Sequence, residues 1–147
     1  MAVVYFDASA FVKLVIEEEG SDLAADLWDG CDLAVSSRLV HPEVRAALAA
    51  AQRNRTLTAV QLQQATVQWH AYWEAVRPIE LTEAVELDAA TLVGAHRLRG
   101  ADGIHLASAR IFKDVDLILA VWDRRLHAGA RAAGLTVAPA ILSPPGR

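Results

Sequence analysis

The chain has 147 residues, of which 54% are hydrophobic and 22% charged; this excludes a disordered chain and allows one domain with a real core. Its net charge of −4 argues against simple electrostatic coating of nucleic acid. No apolar run approaches the ~20 residues that cross a bilayer, Asp7 arrives too early for a signal peptide, and the single Cys31 excludes an internal disulfide; the expected location is cytoplasmic.

In chain order, the apolar run Val3-Val4-Tyr5-Phe6 predicts a strand that Asp7 closes. A helix is expected over residues 10–16, broken by Glu17-Glu18-Glu19-Gly20. Ser21 is placed to cap a short helix ending near Trp28. Residues 32–36 read as a strand and 37–53 as a helix, where Pro42 is tolerable only near the first turn. A helix over 58–76 precedes a short strand over 78–81. Helices over 83–98 and 102–113, a strand over 117–121, a helix over 124–133 and a last strand over 135–138 complete the pattern. No repeat or linker interrupts it; the domain spans 1–142, and the tail from Ser143 to Arg147 is expected to fray. Strands separated by helices need crossover connections, which predicts an α/β fold whose mainly parallel sheet carries helices on both faces.

Four acidic residues stand out against this pattern: Asp7, Glu43, Asp102 and Asp123. Asp7 and Asp123 follow apolar strands, and Asp102 opens an expected helix. Taken singly, each Asp has a plain explanation as a helix N-cap. Glu43 does not, because it borders the apolar stripe of Val40, Val44, Ala47 and Ala51 and needs a partner that Arg45, elsewhere on the helix, is badly placed to give. In open α/β sheets, ligands bind beyond the carboxyl ends of the strands, so distant residues placed there can meet. Converging carboxylates repel one another, and a hard cation such as Mg2+ or Mn2+ relieves them. Metal-assisted phosphodiester cleavage is a chemistry such a cluster serves.

The remaining candidates are weaker. Of the 14 basic residues only Lys13 and Lys113 are Lys, and Arg suits phosphate through its two-pronged hydrogen bonding. Arg124 and Arg125 are the best phosphate contacts because they follow Asp123 directly. His105 lies one turn after Asp102 and is read chiefly as packing. Trp69, Tyr72, Trp73 and Val76 continue a stripe with Leu62 and Ala65, read as core or interface rather than as a base-stacking surface. No Cys/His spacing suggests zinc, and no Ser-His-Asp or Cys-His constellation is evident.

Four segments together resemble the PIN-domain ribonucleases of the VapC toxin type. They are Val4-Tyr5-Phe6-Asp7-Ala8-Ser9-Ala10-Phe11-Val12-Lys13-Leu14, Pro42-Glu43-Val44-Arg45-Ala46-Ala47-Leu48, Ala101-Asp102-Gly103-Ile104-His105-Leu106-Ala107-Ser108-Ala109, and Trp122-Asp123-Arg124-Arg125-Leu126 followed by Ala132-Ala133-Gly134-Leu135. They occur in the family's order over nearly the whole chain. The resemblance implies a three-layer α/β/α PIN-like fold and Mg2+- or Mn2+-dependent RNA cleavage. It also implies a homodimer and a VapB-type antitoxin that covers the active site. Asp7, Glu43, Asp102 and Asp123 match the family's metal-site acids, and Ser9 matches a small hydroxyl residue beside the first. The chain departs from the family at Val121, where Thr or Ser is common two residues before the fourth acid. Two other readings remain open at this point: a non-catalytic binding module of the same fold, and a phosphohydrolase with Asp7 as nucleophile. The second would usually carry a second Asp where this chain has Ser9.

Overall fold

Successive side chains of a strand point to opposite faces of its sheet, and in β1 (Val3–Phe6) all four are buried. Val3 and Tyr5 enter one hydrophobic core, while Val4 and Phe6 enter another. A strand buried on both sides belongs in the middle of a covered sheet. The computed structural model, which describes residues 1–145, puts it there. The five strands run in the order β3 (Arg77–Ile79), β2 (Leu33–Ser37), β1, β4 (Leu117–Ala120) and β5 (Thr136–Ala138). Every pairing is parallel.

Helices cover both faces, as the alternation of strands and helices requires. On the Val4 and Phe6 side lie α1 (Ala8–Val15), α2 (Ser21–Gly30), α3 (Val40–Arg53) and α4 (Ala59–Ala75). On the Val3 and Tyr5 side lie α5 (Glu83–His96), α6 (Gly100–Arg110) and α7 (Arg124–Ala132). The result is the three-layer α/β/α architecture expected from the sequence. Among the described residues, no helix is long and apolar enough to cross a membrane.

Local chemistry sets most helix ends. Thr58 and Gln61 form a reciprocal capping box at the start of α4, and Thr82 caps α5. Pro42 is the third residue of α3, where a missing amide hydrogen costs no helical bond. Several expected boundaries shift, among them three with a clear local cause. Ser37 belongs to β2 rather than to the helix after it. Gly20, in the left-handed region at φ 91°, takes the N-cap position of α2; the Ser21 hydroxyl instead accepts from the Glu18 amide and donates to the Ile16 carbonyl. Helix α6 begins at Gly100, so Asp102 lies inside its first turn instead of opening it. At the other end of the chain, Ser143 Oγ donates to Glu19 Oε1 and its carbonyl accepts from Arg124; residues 146 and 147 lie outside the described part.

The aromatic stripe of α4 divides. Trp69 is fully buried against Phe11, with ring centroids 4.9 Å apart, and its indole N–H donates to His41 Nδ1. Tyr72 and Trp73 are half-buried at the edge of the same core. Trp69 therefore serves the core.

Helices α5 and α6 approach each other closely at Gly103, the residue after Asp102. A β-carbon on Gly103 would stand 2.5 Å from Val93 Cγ1 and 3.0 Å from the Ala89 carbonyl oxygen. Val93 can turn aside, but the α5 backbone cannot. Gly103→Ala is expected to push α6 away from α5 and lower stability by about 1–3 kcal/mol. Chemical denaturation checks this, and an unchanged midpoint would mean that the two helices have slack.

Candidate active site

The strand order places a topological switch between β1 and β4: the chain leaves β1 toward β2 and β3, then returns to the other side of β1 at β4. Helices depart to opposite faces at such a point and leave a crevice at the carboxyl ends of the strands. Asp7 follows β1 directly, and its amide donates to the Ala120 carbonyl at the end of β4. Asp123 follows β4 and starts α7, accepting the Leu126 amide through Oδ1. Asp7 Oδ1 accepts the Ala10 amide in the same way at the start of α1. The capping reading of both residues is correct, and capping fixes both carboxylates at the crevice.

Ser9 joins these two acids. Its hydroxyl donates to Asp7 Oδ1 at 2.6 Å and accepts the amides of Trp122 at 2.8 Å and Asp123 at 3.3 Å. One proton and two lone pairs are all in use. The side chain is thus a fixed tie between the β1 and β4 ends.

Glu43, in the first turn of α3, reaches the crevice from the opposite layer to Asp102. Its Oε1 lies 2.5 Å from His105 Nε2, and the other ring nitrogen of His105 lies 2.6 Å from the Tyr5 hydroxyl. That hydroxyl also accepts the Ser37 amide. Burial pushes the Tyr5 phenol far above its usual range, so it keeps its proton. A carboxylate only accepts, so His105 Nε2 is the donor to Glu43, and the Tyr5 hydroxyl, which accepts from Ser37, is free to give its proton to His105 Nδ1. His105 is packed, as the sequence suggested, yet it is also the partner that Glu43 required.

Asp102 is buried and held by Arg99. The Arg99 backbone amide and Nε both donate to Oδ2 at 3.1 Å, and Nη2 donates to Oδ1 at 3.2 Å. The same Nη2 donates to Asp123 Oδ2 at 3.1 Å. Arg99 is the basic residue that sequence reasoning missed at the acids. Its signal was its place three residues before Asp102, which becomes readable only when the helix is started at Gly100. Arg124, the expected phosphate contact, instead donates to the Ser143 carbonyl. Arg125 is exposed at the start of α7.

The electrostatics are unbalanced. Burial lifts the Asp7 carboxyl to about 6; the attraction of His105 and hydrogen bonds from Ser9 and Ala10 pull it down, and the Asp123 charge pushes it up. Four carboxylates thus share one guanidinium and one imidazole. Among the described residues, no three acidic, His or Cys side chains gather tightly enough to hold a metal ion. The donor set nonetheless fits a hard divalent cation: it is all oxygen, it is anionic beyond its internal compensation, and among the described residues no Lys or Arg forms an ion pair with Asp7.

A parallel α/β/α domain with carboxylates ranged around its switch point belongs to the open-sheet folds that gather ligands beyond the ends of their strands. The PIN domain pattern matches residues 4–131, and the chain belongs to that family. Within it the chain groups with the VapC-type ribonucleases: it is 62% identical over 144 residues to Ribonuclease VapC45 of Mycobacterium tuberculosis, covering 98% of this chain and 100% of that protein. Its fold resembles the crystal structure of M. tuberculosis VapC20, a sarcin-ricin loop cleaving toxin, with a TM-score of 0.65 at 18% identity over 95% of this chain and 99% of that one. A toxin-antitoxin complex from Klebsiella pneumoniae matches with a TM-score of 0.64 at 17% identity, over 97% and 100% of the two chains. At such identities the two solved structures speak to the fold alone.

Two outcomes follow from this geometry. The Asp7 carboxyl sits above its ordinary value of 3.8 in the folded state, so the fold holds that proton more tightly than the unfolded chain does. Ionising it removes stability as pH rises from 4 through 6, by about 3 kcal/mol. Asp7→Asn, in chelator, should melt like the wild type below pH 4 and be more stable by about 2–3 kcal/mol above pH 7; parallel melting curves at both pH values would show that Asp7 is not strained by burial. Tyr5→Phe should cost about 1–3 kcal/mol by stranding the buried Ser37 amide, and should free Glu43 by releasing the tautomer of His105. An imidazole NMR titration checks the second effect: an unaltered His105 tautomer would show that Tyr5 does not set it.

Proposed function

We propose that this chain is the toxin of a toxin–antitoxin pair: an endoribonuclease that cleaves RNA phosphodiesters with Mg2+ or Mn2+. It would act in the cytoplasm as a homodimer, through a domain spanning residues 1–142, and be restrained by a VapB-type antitoxin. The observation that supports this most is the excess of carboxylates over cations at the switch point of a chain closely related to a ribonuclease.

Asp7, Glu43, Asp102 and Asp123 would hold the ion, which when bound supplies an activated water and a counter-charge for the phosphate. The chain's own residues fix the donors. Ser9 locks the loops that carry Asp7 and Asp123, so neither acid has to be ordered when substrate arrives. His105 holds Glu43 at the mouth of the crevice, and Tyr5 holds His105. Such outer partners orient a site's ligands and typically matter 10–100-fold to a metal site. A nucleophilic Asp7 is disfavoured, because Oδ1 is already taken by Ser9 and Ala10 and the carboxyl is pushed toward its neutral form.

The same charge excess suits an antitoxin that offers a basic side chain to the acids. With Trp69 in the core, the apolar surface left for protein contact on α4 is Val60 and Val67, together with the exposed edge of Trp73.

Purified chain is expected to cleave a mixed RNA pool with Mg2+ or Mn2+, to stop in excess chelator, and to resume when the ion is restored. Asp102→Asn should fold and melt normally yet lose cleavage. Undiminished cleavage in chelator would overturn the reading.

A further inference from the structure

Arg99 is poised where a divalent cation would have to act. It pairs with two acids at once, Asp102 through two prongs and Asp123 through one of the same nitrogens. These contacts hold its guanidinium charged even more firmly than usual, Asp102 contributing most. Yet the side chain is 57% exposed, so water can take over its hydrogen bonds with little loss. Its backbone, in contrast, is fixed. Arg97 turns the chain through the left-handed region at φ 54° as α5 ends. Leu98 is then buried against Gly129 of α7, where a β-carbon would stand only 2.7 Å from Leu98 Cδ2. A rigid turn thus presents an exposed, permanently charged fork at the mouth of an anionic crevice.

We propose that Arg99 is a resident counterion of the site. It stabilises Asp102 and Asp123 while no metal is bound, gives way when a divalent cation binds, and then holds a phosphate oxygen of the substrate. A guanidinium and a divalent cation compete for the same carboxylate oxygens, so each weakens the other's hold. A fork released from two carboxylates, on a turn that cannot leave, is suited to the next anion to enter, and the substrate backbone supplies one. This deepens the proposed function and rests on it.

The competition has a signature that a merely structural residue would not give: metal binding and catalysis move in opposite directions. Calorimetric titration of the full chain with Mn2+ should show Arg99→Gln binding about tenfold more tightly than the wild type, because one repelling charge is gone. At saturating Mn2+ the same variant should cleave mixed RNA with kcat/KM lowered about tenfold. Arg99→Lys keeps the charge but not the fork, so its Mn2+ affinity should stay within roughly twofold of wild type while cleavage falls. In the wild-type chain the Nε–H resonance of Arg99 should shift as Mg2+ is added, a readout that needs no variant to fold. An Arg99→Gln affinity equal to or weaker than wild type, undiminished cleavage by that variant, or an Nε–H resonance unmoved at Mg2+ saturation would each overturn the inference. A wild-type chain that takes up no Mn2+ would overturn the proposed function itself, and so marks a different failure.

Discussion

Repulsion among carboxylates is the constraint on which the rest of this structure depends. Asp7 is nearly inaccessible to water at the end of a central strand, in sight of Asp123, and burial alone drives its carboxyl toward the neutral form. A chain selected only for stability would place an apolar residue there. This one instead surrounds the acid with donors: the Ala10 amide, the Ser9 hydroxyl and, at one remove, the Arg99 fork on Asp123. Those donors reduce the strain without removing it. What remains is a standing preference for positive charge.

The means by which the acids are held explain why they come from distant parts of the sequence. Each is tied to an element end that the fold has already fixed. Asp7 and Asp123 are caps, and a cap is the best-determined polar position a helix offers. Asp102 is fastened within one turn by the residue three before it. Glu43 cannot be held by its own helix, because its neighbours there belong to the apolar stripe. Its restraint comes from the opposite layer through His105, Tyr5 and the Ser37 amide, a chain of hydrogen bonds across the carboxyl edge of the sheet. Every polar atom of that chain has a partner, and a buried network is stabilising only on that condition.

The parts of the fold that were legible in the sequence are those set by local chemistry. Val3 to Phe6 could only be a doubly buried strand, and the recurrence of such runs between helices led to a parallel sheet covered on both faces. Asp7 and Asp123 were readable as caps and as groups at the carboxyl edge of the sheet at once, because each follows an apolar strand. What escaped was pairwise and depended on the start of one helix. With α6 begun at Asp102, Arg99 lay outside it and had no reason to meet an acid; with α6 begun at Gly100, the two are one turn apart and must meet. His105 was undervalued for a related reason. Its partners, Tyr5 and Glu43, lie 100 and 62 residues away, on a strand and a helix that only the sheet order brings together. Arg124 shows that a residue beside an acid in sequence need not be paired with it: this side chain turns to the Ser143 carbonyl.

Val121 shows how the same logic limits substitution at the site. Its side chain is fully buried in the core shared by α5, α6 and α7, and its amide is spent on the Ala138 carbonyl of β5. A hydroxyl there would need a partner within that apolar layer or lose roughly 1–3 kcal/mol. The tie between the β1 and β4 ends, which a hydroxyl could otherwise supply, is already made by Ser9 from the other strand, with both amides after Val121 on its oxygen. The position is therefore free to serve packing, and the burden of fixing Asp7 against Asp123 falls on one hydroxyl whose every hydrogen-bonding valence is engaged.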